Sequence, residues 1–255
     1  MKASSIPSHE QTFFSSGKDA VGKQFVLKKT SADITAKEKM VYYTCTRDNN
    51  DKSFYYEEET PKNRIVLHFT AGYLKGDVSA LSQPGNHVSV PFILARNGEI
   101  LNMWPSKFWS YHLGSGAVGG NTEMSKTSPA IEISNIGCLN KVGNNLVSSY
   151  SQSDIYCSLD ETSMYTEVKN GYRGFNYYAS YTTQQYDSLI TLLRFLTMRY
   201  NIPATFLPIE ERFLPFTDQK AKAYKGITSH VNFRTDKLDI GPAFDWDRVI
   251  KGVQK

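Results

Sequence analysis

Arg64-Ile65-Val66-Leu67-His68-Phe69-Thr70-Ala71-Gly72 decides how the chain is read. A short apolar run that ends in a glycine-containing turn is the pattern of a buried strand. Because side chains alternate along a strand, Ile65, Leu67 and Phe69 share one face, and Val66, His68 and Thr70 share the other. A lone histidine on such a strand is either a hydrogen-bonded core residue or a ligand. Residues elsewhere in the chain bear on that choice.

Further strands lie on both sides. Met40–Thr46 and Ser53–Tyr56 are β-prone runs separated by Arg47-Asp48-Asn49-Asn50-Asp51, and they read as a hairpin. Val88–Ala95 and Glu99–Trp104 flank Arg96-Asn97-Gly98, and Asn-Gly between β-prone runs is a strong hairpin signal. Pro91 lacks a ladder donor, so its strand lies at an edge or begins there. Ser128–Ser134 is another strand, with Ile131 and Ile133 on one face and Ala130, Glu132 and Ser134 on the other. An acid within an apolar strand sits at a solvated sheet edge, or it is desolvated and raised in pKa towards general-base use.

Thr182 and Gln185 form a capping box, after which Tyr186, Leu189, Ile190, Leu193, Leu196 and Tyr200 recur at helical spacing until Asn201-Ile202-Pro203. That stripe is core. Ile209–Phe213 adds a turn of helix, and Asp245–Val253 reads as a closing helix. Together these segments predict an α/β protein: a single domain with a central mixed sheet flanked by helices, plus an N-terminal extension. Residues 1 to about 38 are polar and read as a poorly ordered arm or small cap, the extension runs to residue 60, and the main domain covers 61–255. Gly137–Ser180 is Tyr-, Ser- and Asn-rich with no clear period, and a connection of this length is a functional loop, a lid or an added element.

At 255 residues the chain can bury a substantial core, and 40% apolar with 21% charged residues is ordinary for a soluble globular protein. The net charge of +4 comes without any dense Lys/Arg run, which argues against a nucleic-acid partner. Cys45, Cys138 and Cys157 form no metal-binding pair, and a single Cys138–Cys157 bridge is left open. The opening MKASSIPSHEQTFFSSGKD has no apolar core of signal-peptide length, and no stretch approaches the roughly 18 apolar residues of a membrane span. The expectation is a product made in the cytoplasm, which something else must deliver if it acts outside.

The chemistry gathers near the end, in Ser229–Trp246, where His230, Lys237 and Asp239 share one irregular segment rich in breakers. Imidazole and carboxylate are zinc ligands, and a lysine two residues before the carboxylate can place positive charge beside a metal. His68 at a strand end would complete a three-ligand set with His230 and Asp239, and Glu132 could take the proton of a water in the fourth position. His112 in Phe108-Trp109-Ser110-Tyr111-His112-Leu113-Gly114 reads either as an aromatic-packed structural histidine or as a substrate contact, and Tyr111 and Trp104 are further substrate-contact candidates.

Six ordered stretches together resemble the zinc-dependent N-acetylmuramoyl-L-alanine amidase family, the amidase-2 type that includes peptidoglycan-recognition proteins: Ile65–Gly72, Arg96–Ile100, Tyr111–Gly114, Ala130–Ile133, Tyr181–Tyr186 and Ser229–Trp246. The resemblance covers about residues 62–250. It implies Zn2+ held by His68, His230 and Asp239, with Glu132 activating water, Lys237 stabilising the oxyanion and His112 in the substrate cleft. The implied reaction is hydrolysis of the amide between N-acetylmuramic acid and L-alanine of the stem peptide. The alternative is a peptidoglycan-binding module of the same fold that does not cut, against which retention of Asp239, Glu132 and Lys237 counts. Departures are Val90-Pro91 where many relatives have Tyr-His, Ser229 where Gly is usual, and the stretch 138–180, which has no counterpart. The expected setting is the cell wall, with peptidoglycan as partner and bacteriolytic, endolysin-like or effector use all open. A phage-tail, injection-machine or immunity-protein partner fits that setting.

Overall fold

In the computed structural model, which describes residues 1–255, the run around His68 is β3 (Arg64–Phe69), buried from Arg64 to His68. It lies between β6 (Ala130–Ile133) and β12 (Gly226–Ser229), parallel to both. Parallel neighbours are covered on both faces, which is why β3 reads as a nearly continuous apolar run. Beyond β6 come β4 (Phe92–Leu94), β5 (Ile100–Asn102), β2 (Lys39–Arg47) and β1 (Phe25–Asp33), completing one seven-stranded sheet. The β4–β5 and β1–β2 pairs are antiparallel and the other pairs parallel, so the sheet is mixed, as expected.

Alternation divides the core as the sequence indicates. Ile65, Leu67, Phe92, Leu94, Ile131 and Ile133 face α4 (Thr183–Tyr200) and α7 (Trp246–Val253), meeting Tyr186, Leu189, Leu193, Leu196, Trp246 and Val249. On the other face Ile93, Leu101 and Ala130 meet Phe13, Leu74 and Val78 of α1 (Ile6–Ser16) and α2 (Leu74–Ala80). His68 and Glu132 belong to this second face, opposite each other near the carboxyl ends of β3 and β6. Thr182 caps α4 through both bonds of its capping box with Gln185, and Asn201 ends the helix in the left-handed region at φ 52°. Short helices α3 (Asn121–Lys126), α5 (Ile209–Arg212) and α6 (Asp218–Ala223) fill the remaining connections.

Two readings change. The N-terminal residues are not a poorly ordered arm: they form α1 and the edge strand β1 of the main sheet. The hairpin partner of β2 is β1, with Phe25 opposite Arg47, and Ser53–Tyr56 contributes only a bridge from Tyr56 to Trp109. In β1 the exposed residues Val26, Lys28, Lys29, Ser31 and Asp33 fall on both faces of the strand, so periodicity alone does not lift it above loop. The strand after Pro91 begins there, as allowed, but it lies in the interior of the sheet.

The 138–180 stretch folds into its own antiparallel sheet of five strands: β7 (Cys138–Val142), β8 (Asn145–Ser148), β9 (Ser151–Ser158), β10 (Tyr165–Tyr172) and β11 (Phe175–Ala179), in the order β10-β11-β7-β8-β9. Its small core of Leu139, Leu146, Tyr156 and Ala179 is closed by Ala3 and Ile6 from the start of the chain. Cys45, Cys138 and Cys157 are all buried free thiols, so the Cys138–Cys157 bridge left open above is not formed.

Two buried acids tie α1 and α2 to the sheet. Glu10 of α1 accepts the backbone N–H of Arg96 at 2.8 Å and of Asn97 at 3.1 Å, latching the helix onto the β4–β5 turn. Replacing it with alanine leaves both donors without that carboxylate, so Glu10→Ala should lower unfolding free energy by about 2–3 kcal/mol in urea titrations; an unchanged midpoint would remove the latch. Asp77 of α2 accepts the Ser134 hydroxyl at 2.5 Å, and burial pushes its pKa up to about 7. A raised folded pKa favours the fold at low pH and is lost as pH rises from the unfolded value towards 7. Asp77→Asn abolishes that loss, so its stability relative to the parent should improve between pH 5 and pH 8 by on the order of 2 kcal/mol, read from paired urea unfolding curves.

Candidate metal centre

The strand register assembles the site. His68 on β3 stands opposite Glu132 on β6, while Ser229 at the end of β12 stands opposite Leu67, so the next residue, His230, emerges beside His68. There the chain enters a 3-10 turn, His230–Asn232, held from within. Asn232 Oδ1 accepts from the Ser229 N–H at 3.1 Å and the Thr228 hydroxyl at 2.5 Å. Asn232 Nδ2 donates to the carbonyls of Arg212 and Leu214, both at 2.9 Å. Ser229 therefore fits this turn well, its N–H and hydroxyl serving as part of a cap. The loop then closes on itself: the Val231 N–H donates to the Asp239 carbonyl at 2.9 Å, which brings the Asp239 side chain back to the histidines.

Three ligand-type atoms converge. His68 Nδ1 and His230 Nδ1 lie 3.1 Å apart, and each lies 3.0 Å from Asp239 Oδ2. Tetrahedral zinc with nitrogen and oxygen ligands at about 2.0–2.1 Å keeps them roughly 3.3 Å apart, so the triangle is close to the size the ion requires. The outer contacts agree. His230 Nε2 donates to the Leu113 carbonyl at 3.0 Å, which fixes the ring with Nδ1 turned towards the cluster. His68 Nε2 meets His112 Nδ1 at 3.0 Å, and the two rings stand edge to face.

The electrostatics prepare the same donor set. Burial, and then the neighbouring His230, push the His68 pKa down to about 4, against the pull of Asp239, so at neutral pH this imidazole is uncharged. Burial alone would raise Asp239, but the charge of His230 and the hydrogen bonds from both histidines hold its carboxyl well below the usual range. Neutral imidazole with ionised carboxylate is the form that binds zinc.

Glu132 differs from Asp239. Burial, with the charges of Asp239 and Asp77, raises its pKa well above the ordinary carboxylate value, and Lys237 acts in the opposite sense. Its Oε2 is shielded from solvent and has no hydrogen-bond partner. A buried oxygen left without a partner next to a ligand cluster suits a group whose partner is a reactant. Lys237 is half-buried and close enough to depress His68 as well as Glu132.

Of the substrate-contact candidates, His112 joins the cluster through His68, and its Nε2 is buried without a partner. Tyr111, on the opposite side of the extended chain, lies edge-on to Tyr56 and Trp109, beside the cluster and not in it. Trp104 is not brought to the cluster. It is 4% exposed, stacks on Tyr55 at 5.2 Å and donates to Ser89 Oγ, several strands from β3. It follows β5, which runs antiparallel to β4 and so carries it towards the opposite end of the sheet. The sequence reading passed over Asn232 and the Leu113 carbonyl. The three-residue spacing of Ser229 and Asn232 hints at the cap, whereas nothing in the sequence marks a backbone carbonyl as an acceptor for a distant histidine.

A profile of the N-acetylmuramoyl-L-alanine amidase family matches residues 58–242. Among solved structures, the chain is similar to AmiD from E. coli, in complex with anhydro-N-acetylmuramic acid-L-Ala-D-gamma-Glu-L-Lys (17% identity, TM-score 0.48, 87% of this chain and 65% of that one). It is also similar to AmpDh3 from Pseudomonas aeruginosa (17%, TM-score 0.46, 81% and 65%) and to the amidase LysC from Clostridium intestinale (14%, TM-score 0.40, 76% and 87%). The chain thus spans just under two thirds of the AmiD and AmpDh3 chains. No curated protein matches it.

The donor triangle makes a direct test possible. His230→Ala should weaken zinc binding by at least about 100-fold while the fold persists, as measured by competition with a chromogenic chelator alongside circular dichroism. A variant that keeps stoichiometric zinc after dialysis would show that the ligand set is different.

Proposed function

The chain belongs to the N-acetylmuramoyl-L-alanine amidase family, and on that premise we propose that it is a zinc-dependent hydrolase. Its substrate is the amide joining the lactyl group of N-acetylmuramic acid to L-alanine of the stem peptide. One observation carries the reading: the three ligand atoms of His68, His230 and Asp239 lie within 3.1 Å of one another, with the unpartnered oxygen of Glu132 on the adjacent strand. When bound there, zinc would act as a Lewis acid and would make water easier to deprotonate.

The chain's own residues do the rest. Glu132, desolvated and without a competing partner, takes a proton from the attacking water as the C–O bond forms. It then returns that proton to the L-alanine nitrogen as the C–N bond breaks. Lys237 offers its ammonium to the oxygen that gains negative charge at the amide carbon. His112, with its free buried Nε2, is a donor or acceptor for substrate at the cluster's edge. Val90-Pro91 puts no phenol near the cluster: Val90 is buried in the core, and the Pro91 carbonyl accepts from Met103 N–H and Asn102 Nδ2. The acid–base work therefore rests on Glu132. The site of action in this reading is the cell wall, and no helix of the chain is long and apolar enough to cross a membrane.

Glu132→Gln should keep zinc and fold but lose turnover by about two orders of magnitude or more, measured as release of new L-alanine amino termini from purified sacculi. Wild-type turnover in that variant would take Glu132 out of the mechanism. A wild-type protein that binds sacculi and releases no such termini would instead be a binding module.

A further inference from the structure

The inserted sheet reaches the catalytic loop at one point, the tip of the β10–β11 hairpin. Tyr172 pairs with Phe175 there, so Arg173 and Gly174 form a two-residue turn, with φ of 49° and 89°. Positive φ at both turn positions is what the twist of a tight hairpin demands, and asparagine followed by glycine is its preferred sequence. Arginine is a poor occupant of the first position, because a side chain with Cβ in the left-handed region costs on the order of 1 kcal/mol. A disfavoured residue at a turn invites the question of what its side chain does.

Arg173 Nη1 donates to two backbone carbonyls, that of Arg234 at 3.2 Å and that of Lys237 at shorter range. Those carbonyls stand at the two ends of the turn 234–237, which carries Lys237 and leads directly to Asp239. The preceding residue, Tyr172, covers the other side. A Cβ at Gly241 would come within 2.8 Å of the Tyr172 ring carbons, so ring and backbone are in tight contact. The Tyr178 hydroxyl donates to the Tyr172 carbonyl at 2.7 Å and stiffens the tip. The hairpin therefore holds the chain two residues before Asp239 and two residues after it. The other ties of this segment are the Val231–Asp239 backbone bond, the Arg234–Asp236 ion pair, a long contact from Arg234 to the Leu113 carbonyl at 3.5 Å and the contacts of the Asp239 side chain with His68 and His230.

We propose that Arg173 is a positioning residue for Lys237 and Asp239, and that the inserted sheet serves as a brace for the loop that presents them. This rests on the assignment of those two residues to the site. A single guanidinium nitrogen carries two N–H donors and can bond both carbonyls at once, and catalysis is sensitive to displacements of about 1 Å in such groups.

Arg173→Asn tests it, because it creates the favoured Asn-Gly turn and removes only the brace. The melting temperature should stay at or above that of the parent. Amide hydrogen exchange over residues 235–239 should rise by about tenfold or more, and kcat on sacculi-derived muropeptides should fall about tenfold with KM within twofold. Arg173→Lys should recover part of both effects, and it decides the matter if the asparagine variant fails to fold. Parental exchange over 235–239 overturns the proposal whatever the rate does, and so does a loss expressed in KM alone. If the wild-type protein proves not to be an amidase, the exchange measurement still judges the brace while the functional reading falls separately.

Discussion

The site depends on the parallel register of β12, β3 and β6. With Ser229 opposite Leu67, and His68 opposite Glu132, two neighbouring strand ends deliver a histidine each and the third delivers the acid. Side chains alternate with a period of two, so a slip of one residue in any of these strands would send its functional group to the α4 face, among Leu189, Leu193 and Trp246. The apolar residues on that face make such a slip expensive, because the same slip would turn Ile65, Leu67, Ile131 and Ile133 towards the cluster. Core packing on one side of the sheet thereby enforces the chemistry on the other.

Crowding polar groups at the edge of a core would be unfavourable if all were charged. The cluster avoids this by dividing its protonation states. His68 and His112 are held neutral by burial and by the neighbouring His230, Asp239 is held ionised by hydrogen bonds and positive charge, and Glu132 is shifted upward. Glu132 is half-buried and Asp239 buried, and both carboxyls sit beside His68, yet they shift in opposite directions. Asp239 has two imidazole partners at 3.0 Å, and Glu132 Oε2 has none. Hydrogen bonding to the charged form is what separates the two carboxyls.

Two additions surround this centre, and they are connected to each other. The start of the chain closes the core of the inserted sheet through Ala3 and Ile6, and it latches onto the β4–β5 turn through Glu10. The inserted sheet in turn grips the loop of Lys237 and Asp239 through Arg173 and Tyr172. Residues distant in sequence from any ligand are in this way mechanically continuous with the site.

Much of this was legible in the chain alone. The apolar run around His68, the capping box of α4 and the alternation around Glu132 led to a mixed sheet with helices, because each is a local pattern, whereas the trio His68, His230 and Asp239 came with the resemblance that the six ordered motifs carry. The edge strand β1, the nature of the 138–180 stretch and the exclusion of Trp104 from the cluster were decided only by tertiary structure. β1 and the inserted strands are exposed on one side and gain their stability from partners elsewhere in the chain, which local pattern does not encode. Trp104 is a substrate-contact candidate in sequence, and only the antiparallel run of β5 carries it away from the site. The carbonyls that accept from His230 and Arg173 belong to the same class: every residue has one, and only the fold selects which are used.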